Sequence, residues 1–106
     1  MRLLLAAILL LASCSQQTPT PEKVQHYRLS GEVVRLLKDE LVAVIKHETI
    51  TDEKGDVWMD AMTMEFPVKD PKIFERLKVG AHIRARVNQS DSSYDYWIDE
   101  VVLAKP

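Results

Sequence analysis

Beyond Cys14 this chain of 106 residues contains no cysteine, so its folded part has neither a disulfide nor a thiolate-bound metal to hold it together. A domain of about 80 residues without such a staple must enclose its apolar interior completely. The residue pattern supplies strands for that task. Tyr27 to Leu36, Leu41 to Ile45, a segment ending in Met62 to Val68, Ile83 to Val87 and Tyr94 to Leu103 carry the alternating or β-branched apolar residues of half-buried, curved strands. Leu37 to Glu40, the charged run Thr51 to Asp56 and polar Asn88 to Ser93 read as the turns and loops between them. Asp70 is a good N-cap and Pro71 suits the first helical position. Gly80 follows the apolar stripe Ile73, Phe74 and Leu77, so residues 71 to 78 are expected to form a short helix. Five strands with one short helix before the fourth predict an all-β domain over residues 26 to 106, a small five-stranded OB-like barrel.

Residues 1 to 13 read as an address rather than as part of that domain. Arg2 supplies a positive charge, and Leu3 to Leu11 form an apolar run too short to span a bilayer. The run ends in Leu11-Ala12-Ser13-Cys14, which resembles the lipobox of bacterial lipoproteins, where the cysteine is acylated and becomes the first mature residue. An ordinary secretory signal is the plainer alternative, and both readings export the protein. Residues 14 to 25 would then be a lipidated cysteine and a polar, proline-containing tether that reaches about 20 Å as a flexible chain. Ser15 after that cysteine fits, by the same resemblance, a lipid-anchored protein of the cell envelope held on the periplasmic side, at the outer membrane. The chain has 14 Lys and Arg against 16 Asp and Glu, and loss of residues 1 to 13 removes Arg2 and no acid. That balance argues against nucleic acid as a partner.

Met1 would leave with the signal peptide. The three remaining methionines, Met59, Met62 and Met64, crowd into one short stretch. Thioethers are neutral, soft and polarisable, and they favour monovalent copper over zinc, calcium or magnesium. The Met-rich stretch therefore suggests Cu(I), with Ag(I) as a chemical mimic. Outside the cytoplasm a thioether has the advantage over a thiolate pair that it cannot form a disulfide, although it can become a sulfoxide. It also needs no deprotonation, so only an imidazole ligand would compete with protons. His47 is the natural imidazole, because it ends the second strand while the methionines open the third, and a hairpin through Thr51 to Asp56 would bring them together.

The string Met59-Asp60-Ala61-Met62-Thr63-Met64-Glu65-Phe66-Pro67-Val68, preceded by His47 and followed by Asp70-Pro71 and Leu77-Lys78-Val79-Gly80, resembles the CusF-type periplasmic copper and silver chaperones. It is similar also to the related domains attached to cytochrome oxidase copper-assembly proteins. The resemblance spans Gly31 to Val101. It implies an OB-like barrel that binds Cu(I) through His47, Met62 and Met64 and passes it to a partner protein. Such a partner would be an efflux component, a cupredoxin or an oxidase-assembly protein. In the efflux chaperones a tryptophan three residues before the first of those methionines covers the metal by a cation–π contact. Here that position is Met59, and Trp58 is displaced by one. On a regular strand Trp58 would share a face with Met62 and Met64; a bulge at Asp60-Ala61 would put Met59 there instead, as a third sulfur.

Met62 and Met64 have a plainer role available, as gap-fillers of a barrel core. His26, at the end of the tether, and His82, on the outward parity of its strand, are expected to be solvated, as are Arg84 and Arg86. Tyr94, Tyr96 and Trp97 are expected to pack their strand. Nothing resembles a nucleophile with its base or a phosphate-cradling glycine loop, so the chain is not expected to be an enzyme. A metal-free interaction module of an envelope complex, using the barrel face and Trp58, is the alternative to a monomeric copper carrier.

Overall fold

A computed structural model describes residues 23–104. The expected signal peptide, the lipidation site at Cys14 and most of the tether lie outside the described residues. The chain forms β1 (Val24–Leu37), β2 (Val42–His47), β3 (Ile50–Asp52), β4 (Val57–Met59), β5 (Met62–Pro67), α1 (Pro71–Arg76), β6 (His82–Ser90) and β7 (Tyr96–Leu103). All strand pairs are antiparallel.

The long β1 organises the sheet because it serves two edges. Gly31 to Leu37 pair with β2 on one side, and Val24 to Glu32 pair with β6 on the other. A register shift between Val33 and Arg35 bends the strand between these duties. The sheet thereby curls into an OB-like barrel. Its β5 and β7 edges meet through side chains: the Tyr96 hydroxyl donates to the Glu65 carbonyl at 2.9 Å, and the same ring packs edge-on against Phe66 at 5.8 Å. Burial, and secondarily Glu65, raises the Tyr96 phenol above its ordinary value, so it remains a donor at this seam.

Alternation fills the interior as the sequence pattern predicts. Leu29 and Val33 of β1, Ala43 and Ile45 of β2, Phe66 of β5, Ile83 and Val87 of β6 and Ile98 of β7 are buried together. Full burial of each large apolar side chain contributes about 1.5–3 kcal/mol, which is what an unstapled domain must rely on. Phe74 and Leu77 cap this core. Their helix starts where the cap chemistry puts it, with Asp70 Oδ1 accepting from the Lys72 amide at 2.9 Å and Pro71 following. It stops at Arg76 rather than 78 because Leu77 turns extended and donates back to the Phe74 carbonyl at 3.0 Å.

The five expected strands are β1, β2, β5, β6 and β7, with β3 and β4 as an added hairpin inside the segment expected to be a charged turn and an irregular approach. Four other expectations are corrected. Val24 and Gln25, taken as tether, pair with Ser90 and Gln89, so the ordered domain starts before residue 26. Asn88 to Ser90, taken as loop, belong to β6; Tyr94, taken as a packing residue, is 75% exposed in the loop that follows. His26 is not simply solvated: its Nδ1 donates to Oδ1 of buried Asn88 at 2.7 Å. At Val24–Gln25 and at Asn88–Ser90 backbone pairing recruited residues whose composition resembles that of a tether or loop.

Candidate metal centre

Strands β2 and β3 form one course of a long hairpin, and β4 and β5 form the other. The charged residues between them turn as expected. Asp52 Oδ1 accepts the amides of Lys54 and Asp56, each at 2.9 Å, and Gly55 takes a φ of 93° that favours glycine. Halfway along, the ladder breaks. His47↔Met62 is the last pair on one side of the break and Ile50↔Met59 the first on the other, so residues 48–49 lie opposite 60–61 without ladder pairing. Freed from that ladder, the Glu48 amide donates to the Ser30 carbonyl at 2.9 Å, and the Glu48 carbonyl accepts from His47 Nδ1 at 2.7 Å.

This last bond fixes the chemistry of the imidazole. A carbonyl oxygen only accepts, so Nδ1 carries the proton, and in the neutral ring Nε2 presents a lone pair. His47 is 2% exposed, and its Nε2 has no hydrogen-bond partner. An unsatisfied buried polar atom costs about 1–3 kcal/mol, which a ligand at that nitrogen would offset. The ring is steadied by Phe66, which meets it edge-on with centroids 5.6 Å apart.

Gly31, opposite His47 on β1, makes this burial feasible. A Cβ there would fall 2.5 Å from the Lys46 carbonyl oxygen and 2.8 Å from His47 Cα. Only glycine lets β2 approach so closely. Sequence reasoning passed over this residue, although an isolated glycine inside a strand pattern is the available signal for a close backbone approach.

Directly paired residues share a face, with Cβ atoms about 4.5–5.5 Å apart. Met62 is therefore beside His47, and at 49% exposure it is the wet side of the site. Met64 pairs with buried Ile45, is diagonal to His47 and packs on the core, half-buried. One imidazole nitrogen and two thioethers thus share the inner face at the break.

Met59 reaches that face from the other side of the break. It pairs with fully buried Ile50 and packs on the core. On an unbroken strand Met59 and Met62 would point oppositely, and the interruption at Asp60-Ala61 removes that conflict. Trp58 is the extra residue of a bulge, since β4 takes two steps between Met59 and Val57 where β3 takes one from Ile50 to Thr51. Its indole stacks on Tyr27 at 4.0 Å and 8°. One face of the indole is therefore committed within the protein.

His82 is exposed and pairs with Glu32, on the parity opposite to Gly31 and His47. Among the described residues no three His, Cys, Asp or Glu side chains gather as a metal site. In the protein-family comparison, the model described as copper binding periplasmic protein CusF matches residues 26–98. Among curated proteins and among solved structures nothing matches the chain.

Proposed function

This chain belongs to the CusF family of periplasmic copper-binding proteins, and from that premise we propose that it carries Cu(I), or Ag(I) as a mimic, and passes it to a partner. His47 Nε2 supplies one ligand, Met62 and Met64 supply two sulfurs, and Met59 adds a third from across the break. The observation that carries the reading is the buried, unpartnered Nε2, whose tautomer is set by the Glu48 carbonyl, directly across the ladder from Met62. A neutral donor set of this kind suits a soft monovalent cation, because no carboxylate or thiolate has to be desolvated with it.

Release follows from the same arrangement. Met62 is half-exposed while Met64 and His47 lie deeper, so an incoming sulfur or imidazole replaces the outer thioether first and the inner ligands afterwards. With one indole face stacked on Tyr27, Trp58 serves the site as a wall, since only its other face could meet a cation. The protein acts as a carrier rather than an enzyme. Residues 1 to 13 serve as an export signal and Cys14 as the lipid anchor, holding the domain on the periplasmic face of the envelope by a tether that ends before Val24.

A titration in competition with a chromogenic Cu(I) chelator tests this. One equivalent retained, with no comparable response to Zn(II), is the expected result. Failure to retain Cu(I) contradicts the carrier and leaves a metal-free interaction module.

A further inference from the structure

The edge of β1 that faces β6 loses its partner partway along. The β1–β6 ladder ends at Glu32↔His82, and the last backbone bonds on that edge are made by Val33, which accepts from the Gly80 amide at 2.7 Å and donates to the Ala81 carbonyl at 2.9 Å. Beyond Val33, among the described residues, no strand pairs with this edge of β1, while the opposite edge stays engaged with β2 to Leu37. A groove runs along the open edge, between Val34–Lys38 and the segment Phe74–Val79.

The groove has an apolar floor and a basic rim. Phe74 and Leu77 form the floor, and Val34 and Val79 stand beside it at 37% and 63% exposure. Arg35, Lys38 and Lys78 line it against a single acid, Glu75. That local excess of positive charge sits on a chain whose formal net charge is −2. Cations on an open edge discourage a second copy of the same edge from pairing there. They do not explain the exposed valines or the concave floor.

We propose that this groove is a docking site for an extended, acidic segment of a partner protein. The segment adds as a strand to β1 at Val34–Leu37, places alternate apolar side chains over Phe74 and Leu77, and sets its carboxylates against Arg35, Lys38 and Lys78. Val34 is three residues along β1 from Gly31, a separation of about 10 Å. A partner held here therefore lies near the His47 site. Docking needs the free edge and the charge, and does not depend on copper binding.

The test uses a seven-residue peptide of alternating Glu and Val, blocked at both ends, added to the 15N-labelled domain. Amide shifts confined to residues 33–38 and 74–80 are expected. Binding should weaken at least tenfold in the double variant Arg35→Glu, Lys78→Glu, and should vanish for a Lys–Val peptide of the same pattern. It should be unchanged in Met62→Ala. Three results each overturn the proposal: no shifts, shifts centred on the β2–β5 hairpin, or equal binding of the Lys–Val peptide. Concentration-dependent self-association of the unmixed domain through the same residues would replace the partner with a second copy and would also overturn it.

Discussion

His26, on β1, and His47, across from β1 on β2, occupy opposite kinds of surroundings. His26 belongs to a ladder of nine registered pairs between β1 and β6, where its ring is bonded to the Asn88 side chain across the strands. His47 belongs to a hairpin whose ladder breaks beside it, and there its Nε2 is buried and unpartnered. In the continuous ladder the His26 ring and the Asn88 side-chain oxygen satisfy each other, although Asn88 Nδ2 beside them is, like His47 Nε2, buried without a hydrogen-bond partner. An interrupted ladder leaves donors and acceptors without assigned partners, and where the surroundings bury them the energy is held for a ligand.

Removing the sulfurs should separate the two regions most sharply. Met62→Ala or Met64→Ala is expected to weaken Cu(I) binding by about 100-fold or more, a loss of about 2.7 kcal/mol, as measured by chelator competition. His82→Ala should change it by less than about 3-fold, within about 0.7 kcal/mol. Equal losses would remove the assignment of ligands to the break.

His47→Leu should give the next effect, and its two readouts should diverge. Copper retention is lost, while the metal-free domain stays within about 1 kcal/mol of the wild type, because removing the unsatisfied Nε2 offsets the loss of the Nδ1 bond to the Glu48 carbonyl. Thermal denaturation without metal checks this. A large destabilisation of the metal-free form would show that the Nδ1 bond to Glu48 outweighs the bare Nε2.

Gly31→Ala tests the closeness of β1 and β2. Its Cβ would collide with the backbone at Lys46 and His47, so strands that cannot retreat should lose about 1–3 kcal/mol. Copper affinity should fall with it, since the shift occurs at His47. The equivalent substitution at Gly55, where a Cβ meets nothing within 4 Å, should cost only the strain of its positive φ and leave copper binding intact.

The smallest effect belongs to the continuous region. Burial pushes the Asp99 carboxyl up, but the Arg86 guanidinium, bonded to it at 2.9 and 3.0 Å, together with the Asn88 side chain and His26 holds it below the ordinary carboxylate value. A depressed folded-state value means stability that is present above the unfolded value of about 4 and is lost as pH falls through the folded one. The melting temperature should therefore fall more steeply below about pH 4 in the wild type than in Asp99→Asn. Parallel curves would contradict the pairing.

Much of the fold was readable because its signals are local. Asp70 and Pro71 announced the helix, and the alternation of Ile83, Ala85 and Val87 announced β6. The β3–β4 hairpin was not legible, because three-residue strands in a charged run carry no periodicity. Nor was the start of β1, where Val24 and Gln25 contribute only backbone. At the site, His47 and the methionines stand out by residue type and crowding, and the choice between a regular strand and a bulge could be posed but not answered. The answer lies in tertiary register, which breaks the ladder twice within five residues, at Trp58 and at Asp60-Ala61. The need for Gly31 likewise depends on the approach of a neighbouring strand, and the tautomer of His47 on where the ladder break turns the Glu48 carbonyl.

Long-range 1H–15N correlation of the three imidazoles, recorded before and after one equivalent of Ag(I), tests the central claim most directly. Before addition His47 should show a protonated Nδ1 and a bare Nε2; afterwards Nε2 of His47 alone should shift and couple to silver. A response at His26 or His82 with His47 unchanged, or a His47 that begins with its proton on Nε2, would contradict the account.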